Sequence, residues 1–154
     1  MNKAKLVLRN FDAKIPKIEI KTRKQNFIVI ISSKIYDEKT EERGDIIIRF
    51  ADVAAIDFRV NFFDCLIGFE ACGLYCIKDK TFIKSVTKSI FERRKEVYIL
   101  EGGYNYDEND EYDMLNCFDT DAEFSNNIEE YSAYIQNVDG GVYIIIAKDI
   151  FIEK

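Results

Sequence analysis

The chain contains no histidine. Histidine is the side chain that most readily exchanges protons near neutral pH, so Ser-His-Asp and Cys-His mechanisms are excluded, and most zinc enzymes with them. An enzyme built from this sequence would have to work with Asp, Glu, Lys, Tyr or Cys. Tryptophan is also absent. That removes the stacking platform glycosidase clefts commonly offer a sugar ring, and nothing in the sequence sets two carboxylates at a working separation. One proline and seven glycines in 154 residues leave no flexible linker. No apolar run approaches the roughly 18 residues of a membrane span. Met1 to Phe11 carries charges every few positions where a secretory leader would be apolar. The expectation is a soluble cytoplasmic protein, a single globular domain over 1–154, long enough to bury a core without staples.

In that compartment Cys65, Cys72, Cys76 and Cys117 are reduced thiols. Only Cys72 and Cys76 are closely spaced, wider than a C-x2-C knuckle and without histidine, which argues against zinc. Cys65, Cys72 and Cys76 lie among Leu66, Ile67, Phe69, Leu74 and Ile77 and read as buried apolar fillers. Gly102-Gly103 and Gly140-Gly141 match neither phosphate-loop pattern. No metal and no cofactor is expected.

Basic side chains are missing from a long stretch. From Glu96 to Asp139 there are thirteen Asp and Glu and not one Lys or Arg. Residues 1–95 carry 20 basic and 13 acidic side chains, a net of +7, whereas residues 96–154 carry 2 and 15, a net of −13. Such a field attracts cations and basic surfaces and repels nucleic acid and anionic membranes. It is densest where Tyr104, Tyr106 and Tyr112 interleave with Asp107, Glu108, Asp110, Glu111 and Asp113. Complementary potential speeds encounter with a basic protein, and tyrosine is over-represented among interface hot spots. The plainer alternative is a solvated loop that keeps the protein soluble. As a calcium loop the segment fails. Tyr112 stands where an EF-hand needs Gly, and Phe118 where it needs a bidentate Glu. Lys14, Lys17, Lys21, Arg23, Lys24 and the bases from Lys80 to Lys95 raise a nucleic-acid footprint. They alternate with apolar residues as on any wet sheet face, and are expected to neutralise part of the acidic half.

Periodicity predicts an α+β fold with a mostly antiparallel sheet and two helices, at about 81–94 and 120–130. Lys5 to Phe11 and Ile15 to Lys21 read as strands, with Pro16 near the start of the second. Phe27 to Ile31 is continuously apolar and fits a central strand covered on both faces. Asp37 to Asp45 reads as a charged loop and Ile46 to Phe50 as a buried strand. Ile56, Phe58, Val60 and Phe62 alternate with polar residues. Leu74 to Ile77, Val97 to Leu100 and Met114 to Phe118 are further short strands. Phe82, Ile83, Val86 and Ile90 recur at helical spacing, and Arg93, Arg94 and Lys95 sit where cations favour a helix end. Thr120 with Glu123 forms a capping-box signature. Tyr131 to Val138 reads either as a prolongation of that helix or as a strand, and the strand is preferred because Asp139-Gly140-Gly141 is a hairpin turn signal leading into a final strand from Val142.

A small acidic α+β chain without a catalytic motif resembles bacterial immunity proteins, the antidotes encoded beside secreted or contact-delivered toxins. The stretch Tyr104 to Asp113 carries the resemblance, with the Asp139 to Tyr143 turn beside it. The resemblance implies stoichiometric binding of a toxin domain, often a basic nuclease, with its active site or substrate groove blocked. Asp107, Glu108, Asp110, Glu111, Asp113, Glu123, Glu129 and Glu130 would then pair with Lys and Arg of that partner. Tyr104, Tyr106 and Tyr112 would supply the desolvated centre. Two other readings compete. A phage-type nucleic-acid mimic would array the same carboxylates like phosphates. A small histidine-independent enzyme would need convergent carboxylates, or a thiol of shifted pKa, inside a pocket.

Overall fold

The computed structural model describes residues 4–9, 13–24, 26–37, 39–64, 70–100, 107–110 and 126–154. The strands are β1 (Lys5–Leu8), β2 (Ala13–Arg23), β3 (Asn26–Asp37), β4 (Glu42–Val60), β5 (Glu70–Ile77), β6 (Ser132–Val138) and β7 (Gly141–Glu153), with helix α1 (Lys80–Leu100) between β5 and β6. All strand pairings are antiparallel. The sheet runs β2–β3–β4–β7–β6–β5, and β5 then returns to β1 and to the start of β2. The sheet therefore closes into a ring.

Alternation decides what fills it. Val29 and Ile31 of β3 face Phe50 and Ile48 of β4, which face Ile150 and Ile152 of β7. These side chains join Ile15, Ile46, Leu74, Tyr134, Val138, Tyr143 and Ile145 in the interior. Phe50 and Tyr134 meet at 5.3 Å between ring centroids. Each large aliphatic side chain so enclosed stabilises the fold by about 1.5–3 kcal/mol.

Helix α1 lies outside the ring. Its Ile83 and Val86 pack on Ile77, Ala133 and Ile146, with Ile128 completing the cluster. Asp79 caps it, its Oδ1 accepting from the Thr81 and Phe82 N–H groups at 2.9 and 3.2 Å. From the outer face of β4, Arg59 pairs with Asp57 at 2.8 Å and donates to the Ser89 hydroxyl at 2.6 Å, tying sheet to helix.

Several expectations are corrected. The strand expected at Val97–Leu100 is the last turn of α1. No breaker stands between Arg94 and Gly102, and Arg93 pairs with Glu96 one turn on, so the helix simply continues. Of the expected helix at 120–130, residues 120–125 lie outside the described residues, Asn126 is helical and Ile128–Glu130 forms a 3-10 turn, so α1 is the one α-helix described along its length. The fold is α+β with a mostly antiparallel sheet, as expected, but not with two described helices. The charged loop at Asp37–Asp45 is much shorter. Pairing runs out to Asp37 and Glu42 and leaves only a tight turn. Ile46–Phe50 and Ile56–Val60 belong to one 19-residue strand, bent where the register shifts between Val53 and Ala55, with Asp52 at φ 51°. Phe27–Ile31 is enclosed on one face only: Val29 and Ile31 are interior, while Ile28 and Ile30 are half-buried on the outer side. Of the cysteines, Cys76 packs against the core as a filler does, whereas Cys72 is exposed. Cys65, Cys117 and the expected strand Met114–Phe118 lie outside the described residues.

The β6–β7 hairpin expected from Asp139-Gly140-Gly141 is present, with Val138 opposite Gly141 and Gly140 at φ 76°. Its tip is held from both sides. The Asp139 N–H donates to the Glu70 carbonyl and the Asn61 N–H to the Gly140 carbonyl, both at 2.8 Å. Beneath it, the Tyr143 hydroxyl donates to Gln136 Oε1, and Gln136 Nε2 donates to the Cys72 carbonyl at 2.6 Å. Tyr143 and Gln136 are fully buried, and burial pushes the Tyr143 phenol far above its ordinary pKa. Tyr143→Phe leaves Gln136 Oε1 without its donor and is expected to destabilise the fold by about 1–3 kcal/mol. At Gly141 an added Cβ would stand 2.0 Å from the Arg59 carbonyl oxygen. Gly141→Ala must therefore push β7 from β4, at a similar penalty of about 1–3 kcal/mol. Urea unfolding checks both, and midpoints unchanged from the parent would refute these contacts.

Candidate functional site

The acidic segment is described at its centre. Residues 107–110 form an exposed turn in which the Asp110 N–H donates to the Asp107 carbonyl at 3.2 Å. The Asn109 N–H donates to Asp107 Oδ1 at 2.9 Å. This is an Asx turn, in which a short carboxylate side chain satisfies the backbone two residues on. The local rule that makes Asp a good turn former thus sets Asp107, Glu108 and Asp110 side by side on the surface. Tyr104, Tyr106, Glu111, Tyr112, Asp113 and Glu123 lie outside the described residues.

Glu129 and Glu130 sit elsewhere in the fold and are already engaged. Both belong to the 3-10 turn that precedes β6, anchored by buried Ile128 under α1. Lys80, the first residue of α1, donates to the Glu129 carboxylate. Lys148 of β7 donates to Glu130 and lies 5.3 Å from the centre of the Tyr131 ring. The two glutamates therefore strap the turn to the helix on one side and to the sheet on the other. Their carboxylates remain partly open to water, at 71% and 55% exposure, so each is a neutralised but reachable surface group.

A second surface was not anticipated. On the outer face of the sheet Ile30 stands opposite Arg49, and Arg49 opposite Phe151. The Arg49 guanidinium lies 4.7 Å over the Phe151 ring, and its Nε is buried without a hydrogen-bond partner. Ile47 and Phe151 are exposed beside it. An arginine stacked on an aromatic ring amid aliphatic side chains has the composition of a protein interface. The one signal in the sequence was the interruption by Arg49 of the run Ile46-Ile47-Ile48, where a doubly enclosed strand would stay apolar.

Other chemistry finds little support in the geometry. Among the described residues no three His, Cys, Asp or Glu side chains converge as metal ligands. A shallow depression along α1 is lined by Ser85, Lys88, Ser89, Glu92, Arg93 and Glu96, two hydroxyls and four charged groups of one helix. No described helix is long and apolar enough to cross a membrane. Comparison with protein-family models, with curated proteins and with solved structures gives no match.

The two straps respond to pH in opposite directions. Hydrogen bonding from Lys80 holds the Glu129 carboxyl below the ordinary carboxylate range. Its contribution to stability is present above the unfolded-state value and is lost as pH falls through the lowered folded value. Hydrogen bonding to Glu130 raises Lys148 above the ordinary lysine range, so its contribution is present below the unfolded value and fades as pH rises through the folded one. Carboxyl-carbon NMR is expected to show the Glu129 titration moving to higher pH in Lys80→Met, because the lysine that holds its carboxyl down is gone. An ordinary titration of Glu129 in the parent protein would show that this strap does not form in solution.

Proposed function

We propose that the chain is a stoichiometric protein-binding inhibitor, an immunity protein that acts in the cytoplasm on a basic, nuclease-like toxin domain. The observation that carries this reading is the exposed turn bearing Asp107, Glu108 and Asp110. It lies within a stretch that has no Lys or Arg from Glu96 to Ala147. A patch of one sign steers an oppositely charged surface into encounter and disfavours partners of like sign, nucleic acid among them.

In this reading the carboxylates of the turn meet Lys and Arg of the toxin first. As the resemblance implies, Glu111, Asp113 and Glu123 would pair with further Lys and Arg of the toxin, and Tyr104, Tyr106 and Tyr112 would supply contact area from which water is expelled. Glu129 and Glu130 take a lesser part, because each would have to exchange a lysine of its own chain for one of the partner. The toxin is occluded as long as the complex lasts, and no covalent step is required.

The test is kinetic. With a basic toxin domain identified by co-purification from the native host, the chain should abolish toxin activity at one equivalent. The triple variant Asp107→Lys, Glu108→Lys, Asp110→Lys should slow association about tenfold or more at low salt. The parent's advantage over it should shrink as salt shortens the reach of the charges. Glu129→Gln should change association far less. Parent-like association of the triple variant would remove this turn from the interface.

A further inference from the structure

Strand β2 touches β5 only through the pairs Ala13–Ala71 and Lys14–Glu70. From Lys17 to Arg23 it pairs with β3 on one edge, and among the described residues no strand lies on the other. The wall of the ring therefore continues past its filling. Ile18 and Ile20 stand opposite the buried Ile31 and Val29, yet they are 38% and 65% exposed. An edge of this kind presents unpaired backbone donors and acceptors and a ready template for another strand. On the outer face of the same strand, Glu19 is bonded to Lys17 and lies 3.2 Å from Lys21, so the edge carries both signs of charge.

We propose that this edge pairs antiparallel with the same edge of a second copy, about a two-fold axis through Ile20. This inference stands apart from the inhibitor reading and uses different residues. The register follows from the sequence. Centred on Ile20, the pairing sets Ile20 against Ile20 of the second copy, Ile18 against its Thr22, and Glu19 against its Lys21. A two-fold axis makes each unlike pair occur twice, so attraction is doubled. Shifting the centre to Glu19 would oppose Glu19 to itself and Lys17 to Lys21, all like charges. Shifting it to Ile18 would set Pro16, which has no backbone N–H to give, inside the ladder opposite Ile20. The remaining like pair in the favoured register, Lys17 against Arg23, falls at the two ends of the contact, where solvent and salt screen most. Cross-strand neighbours of opposite charge and paired aliphatic residues both favour such a ladder.

The contact is short, so a dissociation constant on the order of 10–100 μM is expected. Sedimentation equilibrium of the full chain over about 1–500 μM should show a monomer–dimer equilibrium in that range. Glu19→Lys and Lys21→Glu should each weaken it about tenfold or more, because two attractive pairs become repulsive. The double exchange Glu19→Lys, Lys21→Glu restores unlike pairs and should restore the dimer. Ile20→Thr keeps strand propensity at an exposed position and should weaken association while leaving the thermal midpoint in place. A chain that stays monomeric throughout overturns the proposal. So does a dimer that survives the single reversals, or one that the double exchange fails to rescue.

Discussion

The structure depends on β5 holding two neighbours at once. One edge receives β1 and the first residues of β2, and the other is bonded along most of its length to β6. Removing that double engagement would leave an open, strongly coiled sheet with Leu74, Ala71 and Ile15 facing water. The buried Tyr143–Gln136–Cys72 relay is sited where it matters for this closure. It links β7 through β6 to β5 by side chains that are fully satisfied. A buried polar chain of this kind adds specificity only when every member finds its partner. With the ring shut, its interior takes one set of aliphatic residues, and α1 covers the part of the outer face around Ile77, Ala133 and Ile146.

Much of this architecture was legible locally. Period two around Ile56–Val60, the Asp139-Gly140-Gly141 turn and the helical spacing of Phe82, Val86 and Ile90 each mark their own element. What escaped was anything set at a distance. A continuous apolar run such as Phe27–Ile31 says that both faces of a strand are apolar. It does not say which of them will be covered. The bulge between Val53 and Ala55 shifts the phase of alternation, so one long strand reads as two. Val97–Leu100 is β-branched and aromatic enough to suggest a strand, yet once a helix is nucleated and no breaker intervenes, extension adds one hydrogen bond per residue fixed. Ring closure joins residues near 13 to residues near 71, a pairing no short window contains.

The same division applies to the candidate site. That Asp107–Asp110 would be an exposed acidic turn follows from composition and from the local chemistry of Asp. That Glu129 and Glu130 would meet Lys80 and Lys148 does not, since these partners lie 49 and 18 residues away in sequence. The acidic half is therefore partly answered from within. One strap comes from the basic half of the chain, and the other from one of the two bases in the acidic half. The Arg49 guanidinium over the Phe151 ring likewise joins residues about a hundred positions apart, one from each half of the chain.

The position of β7 in the chain has a consequence for how the molecule is made. Strands β2, β3 and β4 follow one another through tight turns and can pair as soon as they leave the ribosome. Their concave side, with Val29, Ile31, Ile48 and Phe50, has nothing to rest on until residues 132–153 have been synthesised and laid against β4 and β5. A nascent chain must therefore carry a bare aliphatic trough through most of its translation. Long-range pairing also puts such a topology among the slower folders. A helper that shields apolar strands during synthesis has its natural client in that half-built intermediate.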